Sequence, residues 1–231
     1  MWDLLQQLRG QRKTGRSAKM LFEVLGDMWV ISRNPFIEDD LLENTKRWDS
    51  LSHALHHRLD QVRERAHNSA NEMALELEAN TREAVEKFEQ DLLSTAEKRK
   101  RVKKRLAKAT KAHNIRFDGM ARVTHVTDAT DWRVEYPMAV ATPDSEKEMA
   151  AVVSASIDSG LTVIPRGGGT GYTGGAIPLT DNSIVVNTEK LEGLSDVEYR
   201  TLPGREGEVA TVRAEAGVIT RRVSNPVSYT H

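Results

Sequence analysis

Six glycines fall within nine residues, from Gly167 to Gly175, in the run Ile164-Pro-Arg-Gly-Gly-Gly-Thr-Gly-Tyr-Thr-Gly-Gly-Ala-Ile-Pro178. Glycine loses more conformational freedom on folding than any other residue. Such a run is therefore expected where several positions need φ > 0, or where backbone must come very close to something. Consecutive exposed backbone N–H groups form a concave nest that suits an anion, phosphate above all. Three phosphate-binding loops compete for this stretch. A Walker A loop needs Gly-Lys-Ser/Thr at its end, because the lysine reaches the β/γ-phosphates. No lysine lies between Lys147 and Lys190, which excludes it. Gly169-Thr-Gly171-Tyr-Thr-Gly174 matches G-x-G-x-x-G literally. That fingerprint works when its last glycine opens a helix whose N-terminus holds the pyrophosphate. Here Gly175-Ala-Ile-Pro178 and Leu-Thr-Asp-Asn182 follow, then the β-type run Ser183-Ile-Val-Val-Asn187, with no room for a helix. A strand–loop–strand cradle, binding pyrophosphate through backbone amides, fits both flanks.

The segments flanking the loop must hold it in place. The second half of the chain follows an α/β plan. Strands are expected at 139–142, 162–164, 183–187 and 208–214, with a turn at 191–195. Ser145 with Glu148 has capping-box spacing at the start of a helix. Met149, Val152, Val153 and Ile157 are its expected buried face, and Gly160 stands where a C′ glycine belongs.

These residues resemble a family. Ile164-Pro-Arg-Gly-Gly-Gly-Thr170 with Gly174-Gly175 resembles the pyrophosphate loop of FAD-linked oxidases and dehydrogenases of the vanillyl-alcohol oxidase type. Thr127-Asp-Ala-Thr130, Trp132-Arg133 and Pro137 resemble the start of that domain in the D-lactate and glycolate dehydrogenase branch. Residues 139–143 are similar to its first strand, 144–160 to its first helix, and Ala214-Glu-Ala-Gly-Val218 to a strand-end motif. The resemblance covers residues 117–223. It implies a PCMH-type FAD-binding domain and FAD as cofactor. It also implies hydride removal from a small 2-hydroxy acid, and an electron acceptor or iron–sulfur module outside this chain.

The implied cofactor residues are Pro165, Arg166, Gly167, Gly168, Gly169, Thr170, Gly171, Tyr172, Gly174 and Gly175. Thr170 is a hydroxyl donor to phosphate. Arg166 either neutralises phosphate charge or pairs with a surface acid. Tyr172 either stacks near the flavin or packs the loop, packing being favoured. Asp128 and Thr130 either reach the adenosine side or cap a turn, the turn being favoured. No catalytic base can be nominated. In the family a second lobe and a substrate domain follow, and neither is present. The tail, residues 224–231, departs from the helix expected after Val223 and reads as truncated or non-native.

The first half is of another kind. No glycine or proline occurs between Pro35 and Gly119, whereas 12 of 15 glycines and six of seven prolines lie from Gly119 onward. Helix interiors exclude both residues, so residues 1–116 are expected to be helical. The fold class is therefore α+β: a helical region, then a partial α/β FAD-binding domain over 117–223. Trp2, Leu4, Leu5 and Leu8 suggest a short amphipathic helix, and Gly10 and Gly15 flank a basic turn over 11–16. A second helix is expected over 18–32, with Leu21, Phe22, Leu25, Met28 and Trp29 on its apolar face. Asn34-Pro35 breaks it, and a third helix runs over 39–65. Ser69 with Glu72 suggests a capping box opening a long helix over 71–111. Val85, Phe88, Leu92, Ala96, Val102 and Leu106 form a thin seam interrupted by Arg99, which suits a helical hairpin or coiled-coil-like arm.

Several classes of function are set aside. Formal net charge is -1, which gives no global pull toward nucleic acid or anionic membrane. The run from Lys98 to Lys111 holds nine basic residues and no acid, but no aromatic lies between Phe88 and Phe117 for base stacking, so it reads as a solvated face. His53, His56 and His57 share a helical stretch without further ligands, so no metal is expected. Cysteine is absent, which removes disulfides and thiolate sites within this chain. No apolar run reaches the ~20 residues of a membrane helix, and no signal peptide is evident, so a cytoplasmic protein is expected. The alternative function is a non-enzymatic helical interaction module with a degenerate α/β appendage. A nicotinamide-binding protein is a third reading, which a helix straight after Gly174 would favour.

Overall fold

A computed structural model of the chain describes residues 3, 5–7 and 15–228. The expectations for Trp2, Leu4, Leu8 and Gly10 lie outside the described residues. The chain divides into two compact units, Met1–Arg99 and Lys100–His231. The division falls upstream of residue 117.

The first unit holds α1 (Gly15–Arg33), α2 (Pro35–Glu43), α3 (Thr45–Asn68) and most of α4 (Glu72–Leu106), which continues into the second unit. Gly15 and Arg16 belong to α1 rather than to a turn before it. The expected third helix over 39–65 is two helices, because Asn34 and Asn44 each cap one. Asn34 Oδ1 accepts from Phe36 N (3.1 Å) and Ile37 N (3.3 Å), with Pro35 at the first helical position. Asn44 closes α2 with its N–H on Asp40 O and opens α3 with Oδ1 accepting from Arg47 N (3.3 Å).

The junction of α3 and α4 differs from the expected capping box. Asn71 is the cap, its Oδ1 accepting from Ala74 N (3.0 Å). The Ser69 hydroxyl instead donates back to Arg65 O (2.8 Å). The chain turns through Ala70, at φ 47°. The long helix ends at Leu106 rather than Lys111, the backbone turning over residues 107–109.

The core of this unit is a cluster including Leu21, Val24, Leu55, Leu59, Val62, Leu77, Val85, Phe88 and Leu92. Trp29, expected on the apolar face of α1, is 66% exposed, and Val24 takes the buried position. α3 and α4 pair in antiparallel order, as a helical hairpin does: Arg63 with Glu78 (2.9 Å), Asp60 with Arg82 (2.7 Å), His56 with Glu89 (3.1 Å). Arg99, which breaks the seam, bonds Asp39 (2.5 Å) and Glu38 (3.3 Å).

The second unit is built on a four-stranded sheet of order β1-β2-β4-β3. Its strands are β1 (Ile115–Arg116), β2 (Ala139–Ala141), β3 (Thr162–Arg166) and β4 (Ser183–Asn187). β2, β4 and β3 are parallel, and β1 is an antiparallel edge. β4 is buried along its whole length, as a central strand of β-branched residues should be. Between β1 and β2 lies the short helix α5 (Gly119–Thr124), capped by Asp118.

α6 (Glu146–Ile157) crosses from β2 to β3 and covers the sheet with Val152. Ser145 Oγ caps it by accepting from Glu148 N (3.2 Å). Ile157 is 62% exposed and Ser156 is buried in its place, because i+4 from Val152 is 156. Gly160, at φ 71°, ends the helix as expected. Val102 and Leu106 pack into this core together with Ile184 and Val186.

Beyond β4 the expected strand over 208–214 is shorter. It is β6 (Glu208–Thr211), paired antiparallel with β5 (Glu198–Thr201), and Ala214 makes only an isolated bridge to Leu194. α7 (Thr220–Ser228) continues past Val223, so residues 224–228 extend a helix rather than depart from one.

Candidate cofactor-binding site

Parallel strands cannot be joined by a tight turn, and their crossover is usually a helix. Between the parallel neighbours β3 and β4 the crossover is instead the glycine loop with residues 176–182, and it contains no helix. The G-x-G-x-x-G match is therefore not a strand–loop–helix fingerprint.

Two positions in the loop require glycine conformations, Gly169 at φ 66° and Gly174 at φ 72°. Gly169 is tied at its carbonyl, which accepts from Ala129 N (3.0 Å). A Cβ on Gly169 would lie 2.7 Å from Arg166 Cζ, so the arginine side chain folds directly under it. Arg166 Nη1 donates to Thr127 O (2.7 Å). Arg166 pairs with a backbone carbonyl here and not with a surface acid.

The neighbouring turn is also tied down. Asp128 Oδ1 accepts from Thr130 N (2.9 Å) and Thr130 Oγ1 (2.6 Å), which holds its carboxyl below the usual carboxylate range. Asp128 and Thr130 thus close a turn, as favoured. Gly174 lies beneath Trp132, where a Cβ would meet Cε3 at 3.5 Å. Tyr172 is 83% exposed and packs on nothing that buries it.

Among the described residues, no N–H from residue 167 to 175 donates a hydrogen bond within the protein. Backbone donors are almost always paired in folded proteins, with protein or with solvent and ligand. Gly167, Gly168 and Thr170 of this row line a cavity of about 610 Å³. Of the ten residues implied by the resemblance, Arg166, Gly167, Gly168 and Thr170 line it. Pro165 lies in β3, opposite Val186. Gly169, Gly171, Tyr172, Gly174 and Gly175 shape the loop without lining the cavity.

The other walls come from residues that the motif did not mark. Thr124 and His125 close one side, Asn187 and Glu189 follow β4, and residues 216–220 lead into α7. Gly217 allows that last segment to reach the site. Its N–H donates to Leu191 O (2.8 Å), and a Cβ there would lie 2.8 Å from the same oxygen and closer still to Thr188 O. Thr188 completes the junction, its N–H on Arg166 O (2.9 Å) and its hydroxyl on Ala216 O (3.1 Å).

His125 is held by both ring nitrogens. Nδ1 stands 2.8 Å from Ala121 O, and Nε2 stands 3.1 Å from Asn187 Nδ2. Burial, and secondarily the Arg166 charge, push its pKa below the ordinary histidine value, against the Ala121 hydrogen bond. The neutral ring is therefore favoured at neutral pH.

Residues 137–228 match the family described as FAD binding domain.

This segment is an FAD-binding domain. FAD is the cofactor of that domain.

Residues 1–90 match a protein family of unknown function (DUF3683). The D-lactate dehydrogenase of Archaeoglobus fulgidus is 40% identical over 55 residues, which are 24% of this chain and 12% of that protein. Two crystal forms of alkyldihydroxyacetonephosphate synthase are similar to part of this chain, with TM-scores of 0.37 and 0.33 at 17% and 19% identity. They cover 42% and 37% of this chain, and 22% and 18% of the synthase. The chain thus spans less than a quarter of the length of these relatives. Among the described residues no helix is long and apolar enough to cross a membrane, and no cluster of His, Cys, Asp and Glu could hold a metal.

The residues present fit an FAD diphosphate. A diphosphate is an acceptor-only anion, and the loop offers it unpaired N–H groups, a threonine hydroxyl and a guanidinium with four of its five N–H donors uncommitted to the protein.

Proposed function

We propose that the chain is the diphosphate-holding part of an FAD-dependent oxidoreductase whose complete form oxidises a small 2-hydroxy acid such as D-lactate or glycolate. The carrying observation is the run of unpaired amides from 167 to 175, of which those of Gly167, Gly168 and Thr170 stand on the wall of the cavity. In this reading Gly167 and Gly168 donate through the backbone, Thr170 through its hydroxyl, and Arg166 supplies positive charge. Pro165, Gly169, Gly171, Tyr172, Gly174 and Gly175 give the loop its shape and close approach. The 2-hydroxy acid rests on the partial likeness to a D-lactate dehydrogenase.

Bound FAD would supply the hydride acceptor, and the protein's task is to hold and orient it. The N–H donors and the Arg166 charge offset the diphosphate charge, and the fixed turn at 127–130 keeps the loop open toward the cavity. We place the FAD-binding part from residue 117, with residues 100–116 packing in the same unit, and the protein in the cytoplasm. An electron acceptor or iron–sulfur module would belong to other parts of the complete protein.

Equilibrium dialysis of the purified chain against FAD, with riboflavin as the comparison, tests the cradle. FAD is expected to bind weakly, above micromolar dissociation constants, and riboflavin, which lacks the diphosphate, is not expected to bind. Equal retention of both would remove the diphosphate cradle from the account.

A further inference from the structure

Asn187 is 5% exposed and lines the cavity at the end of β4, yet no motif marks it. Its orientation follows from a chain of hydrogen bonds whose two ends have fixed polarity. At one end the Ala121 carbonyl can only accept, so His125 Nδ1, 2.8 Å away, carries the proton. In the neutral ring His125 Nε2 is then an acceptor, and the Asn187 atom facing it at 3.1 Å is the donor Nδ2. At the other end the Glu189 N–H can only donate, so the atom it meets at 3.1 Å is Asn187 Oδ1. Both assignments give the same amide orientation. Nδ2 carries two protons, and only the one toward His125 has a partner among the described residues. A half-satisfied amide this deeply buried is costly unless something else accepts from it.

The geometry points to Asn187 as a further side-chain donor to a phosphoryl oxygen of FAD, aimed by His125 acting as a positioning residue. This rests on the diphosphate-cradle reading of the loop. Its consequence is a pH dependence of definite sign. A protonated His125 would present Nε2–H to the Asn187 N–H, donor against donor, and turn the amide away. The charged groups acting on the ring are Arg166 from β3, Arg116 from β1 and Glu189 beyond β4. Burial and Arg166 favour the neutral ring, so Asn187 is correctly aimed at neutral pH. Its aim is lost as pH falls through a His125 pKa lying below 6.5. A histidine touching phosphate directly would behave oppositely, binding more tightly when charged.

The test is FAD affinity of the full chain from about pH 8 down to pH 5, the range over which a histidine changes charge. FAD's diphosphate diester does not titrate there. The unaltered chain is expected to lose about tenfold in affinity toward the acid end, with its circular dichroism unchanged. His125→Gln places an acceptor near the Nε2 position without a titrating group. It should keep the neutral-pH affinity and flatten the profile. His125→Phe and Asn187→Leu should each bind about tenfold more weakly at neutral pH, with no acid dependence. A flat profile in the unaltered chain, tighter binding in acid, or a His125→Gln variant as weak as His125→Phe would overturn the inference and leave the loop assignment standing. No FAD binding at any pH would overturn both.

Discussion

Gly169→Val probes the loop where backbone conformation and ligand approach coincide. At φ 66° a residue with a Cβ costs about 1–2 kcal/mol, and β-branching adds to it. The new Cβ would also meet the Arg166 guanidinium, 2.7 Å from Cζ, and displace it from Thr127 O. A hydrogen bond from a charged donor contributes about 1.5–3 kcal/mol. Together these give on the order of 3–4 kcal/mol of local cost, which the loop can relieve by leaving its cradle shape. FAD affinity should then fall by at least about a hundredfold. The first unit has its own core, so its helical circular dichroism should persist. Gly168→Ala separates strain from ligand space. A Cβ at Gly168 meets only Thr170 Cγ2 at 3.7 Å, so the free protein should accept it and FAD should not. The assay is flavin fluorescence quenching beside helical content. Unchanged FAD affinity in Gly169→Val would refute the claim that this loop holds the cofactor.

Gly217→Ala should lower the melting temperature of the second unit and weaken FAD binding together, because its Cβ would collide with two backbone carbonyls that cannot move aside; a variant with the original melting curve would contradict this close approach. Asp144 is bridged by Lys111 (2.7 Å) and Lys190 (2.9 Å), whose hydrogen bonds hold its carboxyl far below the usual range. Its folded pKa is depressed, so its stabilisation is present above the unfolded value of 3.8 and disappears as pH falls further toward the folded value. Asp144→Asn should therefore destabilise the chain at neutral pH and reduce the loss of stability in strong acid, read from denaturant midpoints across that range. Glu78, buried beneath Arg63 (2.9 Å) and Arg82 (2.7 Å), should cost about 3 kcal/mol when changed to Leu, because two guanidinium groups lose their shared carboxylate; a neutral effect in urea melts would show that the network is not needed to hold the hairpin.

The sequence shows some parts of this protein plainly and hides others for physical reasons. The run from Ile164 to Asn187 is local: strand, glycines, proline and strand are adjacent, and the structure keeps that order. The Ser145 cap and the Gly160 stop are likewise local. The rest depends on tertiary choice. Asn34 and Asn44 divide a region that apolar spacing alone reads as continuous, because a cap needs only one residue. Asn71 caps α4 because Ser69 already donates to Arg65, a competition that spacing cannot rank. Ile157 yields to Ser156 because the helix follows its true period rather than the apolar residues. β1 is two residues long and too short for any pattern. His125, Asn187 and Gly217 come from separate segments and meet only when the sheet forms. A lone glycine before Val218 could have been noticed as a close-approach position, but the carbonyls that it must avoid belong to residues 188 and 191.

The most direct measurement of the central claim is an amide NMR titration of the full chain with FAD. The N–H resonances of 167, 168 and 170, together with the Asn187 side-chain amide, are expected to shift as FAD is added, and riboflavin is expected to leave them in place. FAD binding that moves other resonances and leaves this loop unmoved would contradict it.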